Sequence, residues 1–156
     1  MKEPDASKGE VVLLIAEDDD GHADLIQELL RDVGICNPQI RFRDGQEVID
    51  FLSGSSGSLR FEPGRRYLLL LDVRMPRMNG VDVLQRVKSN PLWKGMPVIM
   101  LTTTDDPREI QECYRLGCNF YITKPVDFSR FSAVLRQLGL FLAILQLPRA
   151  DGSAQP

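Results

Sequence analysis

Apolar positions along this chain follow two different periods, and their alternation predicts the order of its elements. "VVLLIA" (Val11 to Ala16), "YLLLLD" (Tyr67 to Asp72) and "MPVIMLTTT" (Met96 to Thr104) are short, nearly continuous apolar runs, as expected of strands covered on both faces. Between them the spacing is helical. From Gly21, "HADLIQELLRDVG" sets Ala23, Leu25, Ile26, Leu29, Leu30 and Val33 along one stripe, and Gly34 stops it. "QIRFR" reads as a less buried edge strand. "DGQEVIDFL" reads as a short helix with Asp44 as its N-cap. The turn formers of "SGSSGSLRFEPGRR" (Ser53 to Arg66) predict a long exposed loop. "VDVLQRVKSN" is helical, "DPREIQECYRLG" opens on Pro107 and closes at Gly117, "CNFYIT" is a last strand, and a long helix follows from about Asp127 to Leu147.

Strand and helix thus alternate five times, the pattern of a parallel sheet covered by helices on both faces: a doubly wound α/β domain. The length of 156 residues suits one such domain, taken as residues 10–147 between flexible ends at 1–9 and 148–156. Sites in these sheets form outside the carboxyl ends of the strands. There the sequence sets Glu17, Asp18 and Asp19 after the first strand, Asp72 after the third, Thr102 to Thr104 after the fourth and Lys124 after the fifth.

Composition narrows the function. A net charge of −3, a pI near 5.2 and the lack of a basic run with interleaved aromatics argue against nucleic acid and anionic lipid as partners. "GRR" at Gly64 to Arg66 is the densest cationic cluster. Cys36, Cys113 and Cys118 form no CxxC and read as small buried thiols in a reducing compartment. The N-terminus has no apolar signal core, and no apolar run reaches the roughly 18 residues of a membrane span. A cytoplasmic protein is expected.

Three carboxylates brought to one crevice repel one another and raise each other's pKa, a conflict that a hard divalent cation removes. Glu17, Asp18 and Asp72 are the natural ligands, and magnesium is the expected ion. No GxxxxGK or GxGxxG is present to cradle a nucleotide. A carboxylate at a strand tip can also attack a phosphoryl group, with magnesium, the Thr102 hydroxyl and the Lys124 ammonium neutralising the equatorial oxygens.

These motifs together resemble a response-regulator receiver domain, of the CheY-like superfamily. "AEDDD" is similar to the family's acidic pair, "LLDVRMPRMNG" to its D-x-x-M-P-x-x-x-G loop, "MLTT" to its hydroxyl position and "YITKP" to its lysine followed by proline. Thr102 stands thirty residues after Asp72, and Lys124 twenty-two after Thr102, as in the family. The resemblance implies a five-stranded sheet in the order 2-1-3-4-5 flanked by five helices, and phosphorylation of Asp72 by a histidine kinase. Glu17, Asp18, Asp72 and the backbone carbonyl of Arg74 would hold Mg2+, Thr102 and Lys124 would bind the phosphoryl oxygens, and Tyr121 would be the rotating switch aromatic. It also makes Lys124–Pro125 a candidate cis bond. The loop before strand three, "YITKPVDF" and the end of the chain after the last helix are most like the stand-alone regulators of bacterial phytochromes. Glu17 departs from the aspartate of many relatives, and its longer side chain still reaches a metal.

On this reading the chain is not an enzyme beyond its own phosphotransfer and slow autodephosphorylation. Output runs through partner binding at the face of helix four, strand five and helix five, through dimer rearrangement, or through transfer to a histidine phosphotransfer protein. A phosphorylation-independent dimeric scaffold is the alternative. A magnesium-dependent phosphatase would want an aspartate where Arg74 stands, and a flavodoxin-like FMN carrier would not place "EDDD" against a phosphate. Asp19 and Asp20 are expected to cap the first helix, His22 to be a solvated helix-start residue, and Arg74 and Thr104 to flank the phosphoryl site, with Arg74 slowing dephosphorylation. On the last helix Phe128, Phe131, Val134, Leu135, Leu138, Phe141 and Leu145 suit the sheet-facing side. Ala133, Leu140, Ile144 and Leu147 form a second stripe, expected to make a symmetric homodimer, with Gly139 permitting close approach or a bend.

Overall fold

The three apolar runs are strands buried on both faces: β1 (Val11–Ala16), β3 (Arg66–Asp72) and β4 (Val98–Thr102). In the computed structural model, which describes residues 10–32, 34–57, 59–124, 129, 132–134 and 136–137, they are flanked by β2 (Gln39–Phe42) and β5 (Phe120–Thr123). All four pairings are parallel and the strand order is β2-β1-β3-β4-β5. The helices are α1 (Asp20–Asp32), α2 (Gly45–Ser53), α3 (Gly80–Ser89) and α4 (Pro107–Arg115), and residues 129, 132–134 and 136–137 carry the helical backbone of α5.

Strand periodicity divides the core in two. Val11, Leu13, Ile15, Leu68, Leu70, Ile99, Leu101 and Ile122 face one way, against Ile26, Leu29 and Leu30 of α1 and Val134 of α5. Val12, Leu14, Leu69, Leu71, Met100 and Tyr121 face the other, against α2, α3 and Cys113 of α4. A strand that feeds both layers must be apolar at every position, which is why "VVLLIA" and "YLLLL" do not alternate.

The starts of α1, α2, α3 and α4 are each fixed by a side chain that takes an orphan amide. Asp44 accepts from Glu47 N at 2.8 Å, and the Glu47 carboxylate reaches back to Arg43 N at 2.8 Å. Asn79 caps α3 through Asp82 N at 2.9 Å, and Asp106 caps α4 ahead of Pro107. Asp19 caps α1, accepting from His22 N at 2.8 Å. The expectation for Asp20 is corrected: it is the first residue of α1 and pairs instead with Arg41 at 2.6 Å and Arg43 at 2.7 Å on the β2 edge.

Other expectations shift for local reasons. The segment before β3 is a long, mostly exposed loop as expected, anchored at one point where Phe61 stacks on Tyr67 at 5.0 Å and Glu62 N donates to the Tyr67 hydroxyl at 3.0 Å. β4 is shorter than the apolar run because Met96 N turns back to Trp93 O and Thr104 N to the Thr102 hydroxyl. β5 starts at Phe120, since Gly117 at φ 105° closes α4 and returns Cys118 N to Cys113 O. Cys36 is exposed, whereas Cys113 and Cys118 are buried as expected. Leu25 is also exposed, outside the α1 stripe. Among the dimer-face residues Ala133 is exposed; Leu140, Ile144 and Leu147 lie outside the described residues, as do Val33, Pro125, Phe128, Phe131, Leu135, Leu138, Gly139, Phe141 and Leu145. No described helix is long and apolar enough to cross a membrane.

The turn after β3 is held where its backbone comes closest to its neighbours. A Cβ on Gly80 would press into the Asp72 carbonyl and lie 2.9 Å from Val73 Cα; on Gly45 it would press into the Met78 carbonyl and lie 2.8 Å from Val83 Cγ2. Gly80→Ala is therefore expected to lower stability by about 1–3 kcal/mol, read as a lower urea midpoint at unchanged slope. A midpoint equal to that of the native chain would show that the turn yields freely.

Candidate functional site

Parallel strands deliver their carboxyl ends to one rim, and the register decides which side chains meet there. Glu17, Asp72 and Lys124 continue the rows of Ile15, Leu70 and Ile122, so all three leave the sheet on the α1 side. Thr102 and Tyr121 continue the opposite rows. Glu17, Asp72, Thr102 and Lys124 are buried, while Asp18, one residue into the loop, is exposed.

Lys124 binds the group together. Its ammonium donates to Glu17 Oε1 in a short buried contact and lies 3.6 Å from Asp72 Oδ2 and 3.4 Å from His22 Nδ1. Glu17, Asp18 and Asp72 each bring a carboxylate oxygen within 4.8 Å of the others. The Arg74 amide approaches Asp72 Oδ1 at 3.4 Å, and Asp18, Arg74, Asn79 and Glu109 line one cleft of about 450 Å³ beside these carboxylates. On the far side of the rim the Thr102 hydroxyl accepts from Thr104 N at 3.2 Å, and the Tyr121 hydroxyl donates to Thr104 O at 3.0 Å.

The description "Response regulator receiver domain" matches residues 13–136. The chain belongs to the response-regulator receiver family. The response regulator Rcp1 of Synechocystis sp. is 33% identical over 147 residues, covering 94% of this chain and 99% of Rcp1. The Mn2+-bound form of Rcp1 superposes with a TM-score of 0.71 at 30% identity, over 89% of this chain and 99% of that one. A receiver domain from Rhodospirillum rubrum is 48% identical, with a TM-score of 0.75 over 88% and 97% of the two chains. The bacteriophytochrome response regulator RtBRR is 35% identical, with a TM-score of 0.73 over 92% and 86%.

The electrostatics of this receiver site follow from burial. Desolvation, then the neighbouring Glu17 carboxylate, raise the Asp72 pKa to about 7 against the pull of Lys124. Glu17 shifts the other way. Burial opposes its ionisation, but the bonds from Asp72 and Lys124 hold it below the usual carboxylate range. Asp18 is raised by desolvation and by Glu17. The raised pKa makes Asp72 easier to protonate than a free carboxylate, which eases the repulsion among the three acids. The donors are all oxygens on three acids, a set that suits a hard divalent cation, so the residues fit a metal of that class.

Two neighbours of the site were not visible in the sequence reading. His22 is an exposed helix-start residue, as expected, and its ring also lies in reach of Lys124 and 3.6 Å from Glu17, because the Asp19 cap turns the first α1 residues back over the rim. Glu109 lies in α4, with its Oε2 3.8 Å from the Arg74 guanidinium and its Oε1 buried without a hydrogen-bond partner among the described residues. Only the acidic first turn of α4 hinted at it. A third contact holds the turn behind Asp72: Arg77, at φ 65°, pairs with the α2 cap Asp44 at 2.8 Å. Burial opposes ionisation of Asp44, and the Arg77 bond and the Glu47 amide hold its pKa low.

The raised pKa of Asp72 has a definite sign for stability. Its penalty is absent below the unfolded carboxylate range near pH 4, grows as pH rises, and is complete above about pH 7. Asp72→Asn is therefore expected to stabilise the metal-free protein at pH 8 by about 2–4 kcal/mol, with a gain that vanishes toward pH 4. Thermal unfolding in excess chelator checks this. A gain independent of pH would disconnect the effect from the Asp72 charge.

Proposed function

We propose that this receiver is the phosphoacceptor of a two-component pathway, modified on Asp72 by a sensor histidine kinase. The observation that carries the reading is the buried Asp72 carboxylate at a strand tip, within 3.6 Å of the Lys124 ammonium and beside Glu17. Asp72 Oδ attacks the phosphorus of the kinase's phosphohistidine, the P–N bond breaks, and the imidazole leaves. Ionised Asp72 is the attacking form. A divalent cation, which we assign as Mg2+, would be held by Glu17, Asp18, Asp72 and the backbone carbonyl of Arg74, and would supply charge neutralisation at the phosphoryl oxygens. Lys124 and Thr102 hold the remaining oxygens.

The new charge draws Thr102 toward Asp72, and its neighbour Tyr121 follows through the shared Thr104 contact. The readout face is then α4, β5 and α5, where Tyr114 and Phe120 are exposed large hydrophobics. We assign the receiver domain to residues 10–147, with no enzymatic role beyond its own phosphotransfer and dephosphorylation. The likeness to the bacteriophytochrome response regulator RtBRR supports a bacteriophytochrome as the kinase. A cytoplasmic homodimer through Ala133, Leu140, Ile144 and Leu147 and a downstream histidine phosphotransfer protein complete the proposal.

The direct test is intact-protein mass spectrometry after acetyl phosphate and magnesium treatment. One base-labile phosphoryl adduct on the native chain, absent from Asp72→Asn, is expected. No adduct on the native chain would favour a phosphorylation-independent scaffold. Arg74 reaches toward Glu109 across the mouth of the site. Arg74→Asn is therefore expected to shorten the adduct's half-life by on the order of threefold, through easier entry of the attacking water. An unchanged half-life would remove Arg74 from that role.

A further inference from the structure

The cationic cluster at Gly64 to Arg66 takes no part in the phosphoryl site, because it lies at the opposite pole of the sheet. β3 begins at Arg66 and ends at Asp72, so the two are separated by about 20 Å at the usual rise per strand residue. At that pole a trough of about 490 Å³ lies open along one side. Phe61, Tyr67, Trp93 and Met96 form its walls, and Leu92, 72% exposed, forms its rim. The volume is in the range that holds a few side chains. Tyr67 and Met96 belong to the buried core, Phe61 and Trp93 are half-buried, and Leu92 stands in water; apolar surface open at the mouth of a cleft often marks a contact site.

The charges give the occupant its chemistry. In a chain of net charge −3, this trough is lined by two consecutive guanidinium residues, Arg65 and Arg66. The Arg65 fork is half used. Its Nη1 lies 3.5 Å from Glu62 Oε2, and its buried Nε finds no hydrogen-bond acceptor among the described residues. A buried N–H without an acceptor is destabilising, and an arriving carboxylate, met by rotation of the outer side-chain torsions, relieves it. Pro63, Pro91 and Pro97 stiffen the borders, which lowers the ordering entropy of binding.

We propose that this trough docks a short segment of a partner protein that presents an apolar or aromatic side chain next to a carboxylate, independently of phosphorylation at Asp72. The apolar side chain enters between Trp93 and Tyr67 while the carboxylate pairs with Arg65 and Arg66. Such a tether holds a partner on the receiver without engaging the rim where phosphoryl transfer is proposed to occur.

Trp93 is the only tryptophan, so its fluorescence reports the trough directly. The probe is a capped peptide with a leucine–phenylalanine pair flanked by glutamates, titrated into the full chain. A saturable Trp93 shift is expected, weakened about tenfold in Arg65→Ala by loss of a charge-assisted bond. It should also weaken in Leu92→Ser, where an exposed side chain is changed without disturbing the core. Asp72→Asn should bind as the native chain does, and Arg65→Ala should still form the acetyl phosphate adduct, which separates this proposal from the phosphoacceptor reading. Four outcomes would overturn it: no shift up to about 1 mM peptide, equal binding by a peptide with lysines in place of the glutamates, an equal response to free N-acetylphenylalanine, or binding that appears only after removal of residues 1–8, which would assign the trough to the chain's own N-terminus.

Discussion

A carboxylate that burial keeps from ionising freely, set beside a second acid and one ammonium, is the interaction around which this receiver is arranged. Asp72 is only 7% exposed, and its neighbours Glu17 and Lys124 are comparably buried. Such a group is tolerated because three strands end at one level, so an opposite charge arrives beside it. The apolar strands are the means to that end. Their burial on both faces fixes the register that decides whether Lys124 meets Glu17 or misses it.

Much of this was legible in the chain because it is written locally. Continuous apolar runs gave strands, Asp44 and Pro107 gave helix starts, and the acids and Lys124 sit directly after strands in a fold whose strand ends converge. What the sequence hid depends on partners far apart in the chain. Asp20 looks like any helix-start acid until β2 brings Arg41 and Arg43 beside it. His22, solvated as expected, gives no sign that Lys124, about a hundred residues later, comes within reach of its ring. The exposed "SGSSGSLRF" segment carries no sign of the stacking of Phe61 on Tyr67. Propensity carries no record of such meetings.

The turn after β3 is constrained from three sides. Gly80 lets α3 start against the Asp72 carbonyl, Gly45 lets α2 meet Met78, and the Arg77–Asp44 pair closes the gap between α2 and the turn. The cap of α2 therefore serves two elements at once, holding its own first turn and a residue in the left-handed region. Rigid support of this kind keeps a reactive side chain in place while the loop surface around it stays open to change.

The division of the sheet into two layers has one more consequence. Glu17, Asp72 and Lys124 belong to the α1 layer, and Thr102 and Tyr121 to the layer of α2, α3 and α4. The sheet between them is a wall of close-packed backbone that side chains do not cross. An event in the first compartment reaches the second over the top of the wall, where β4 carries Thr102 at its edge. Phosphoryl chemistry, as proposed, stays at that upper edge, and the strands below it serve as its fixed support.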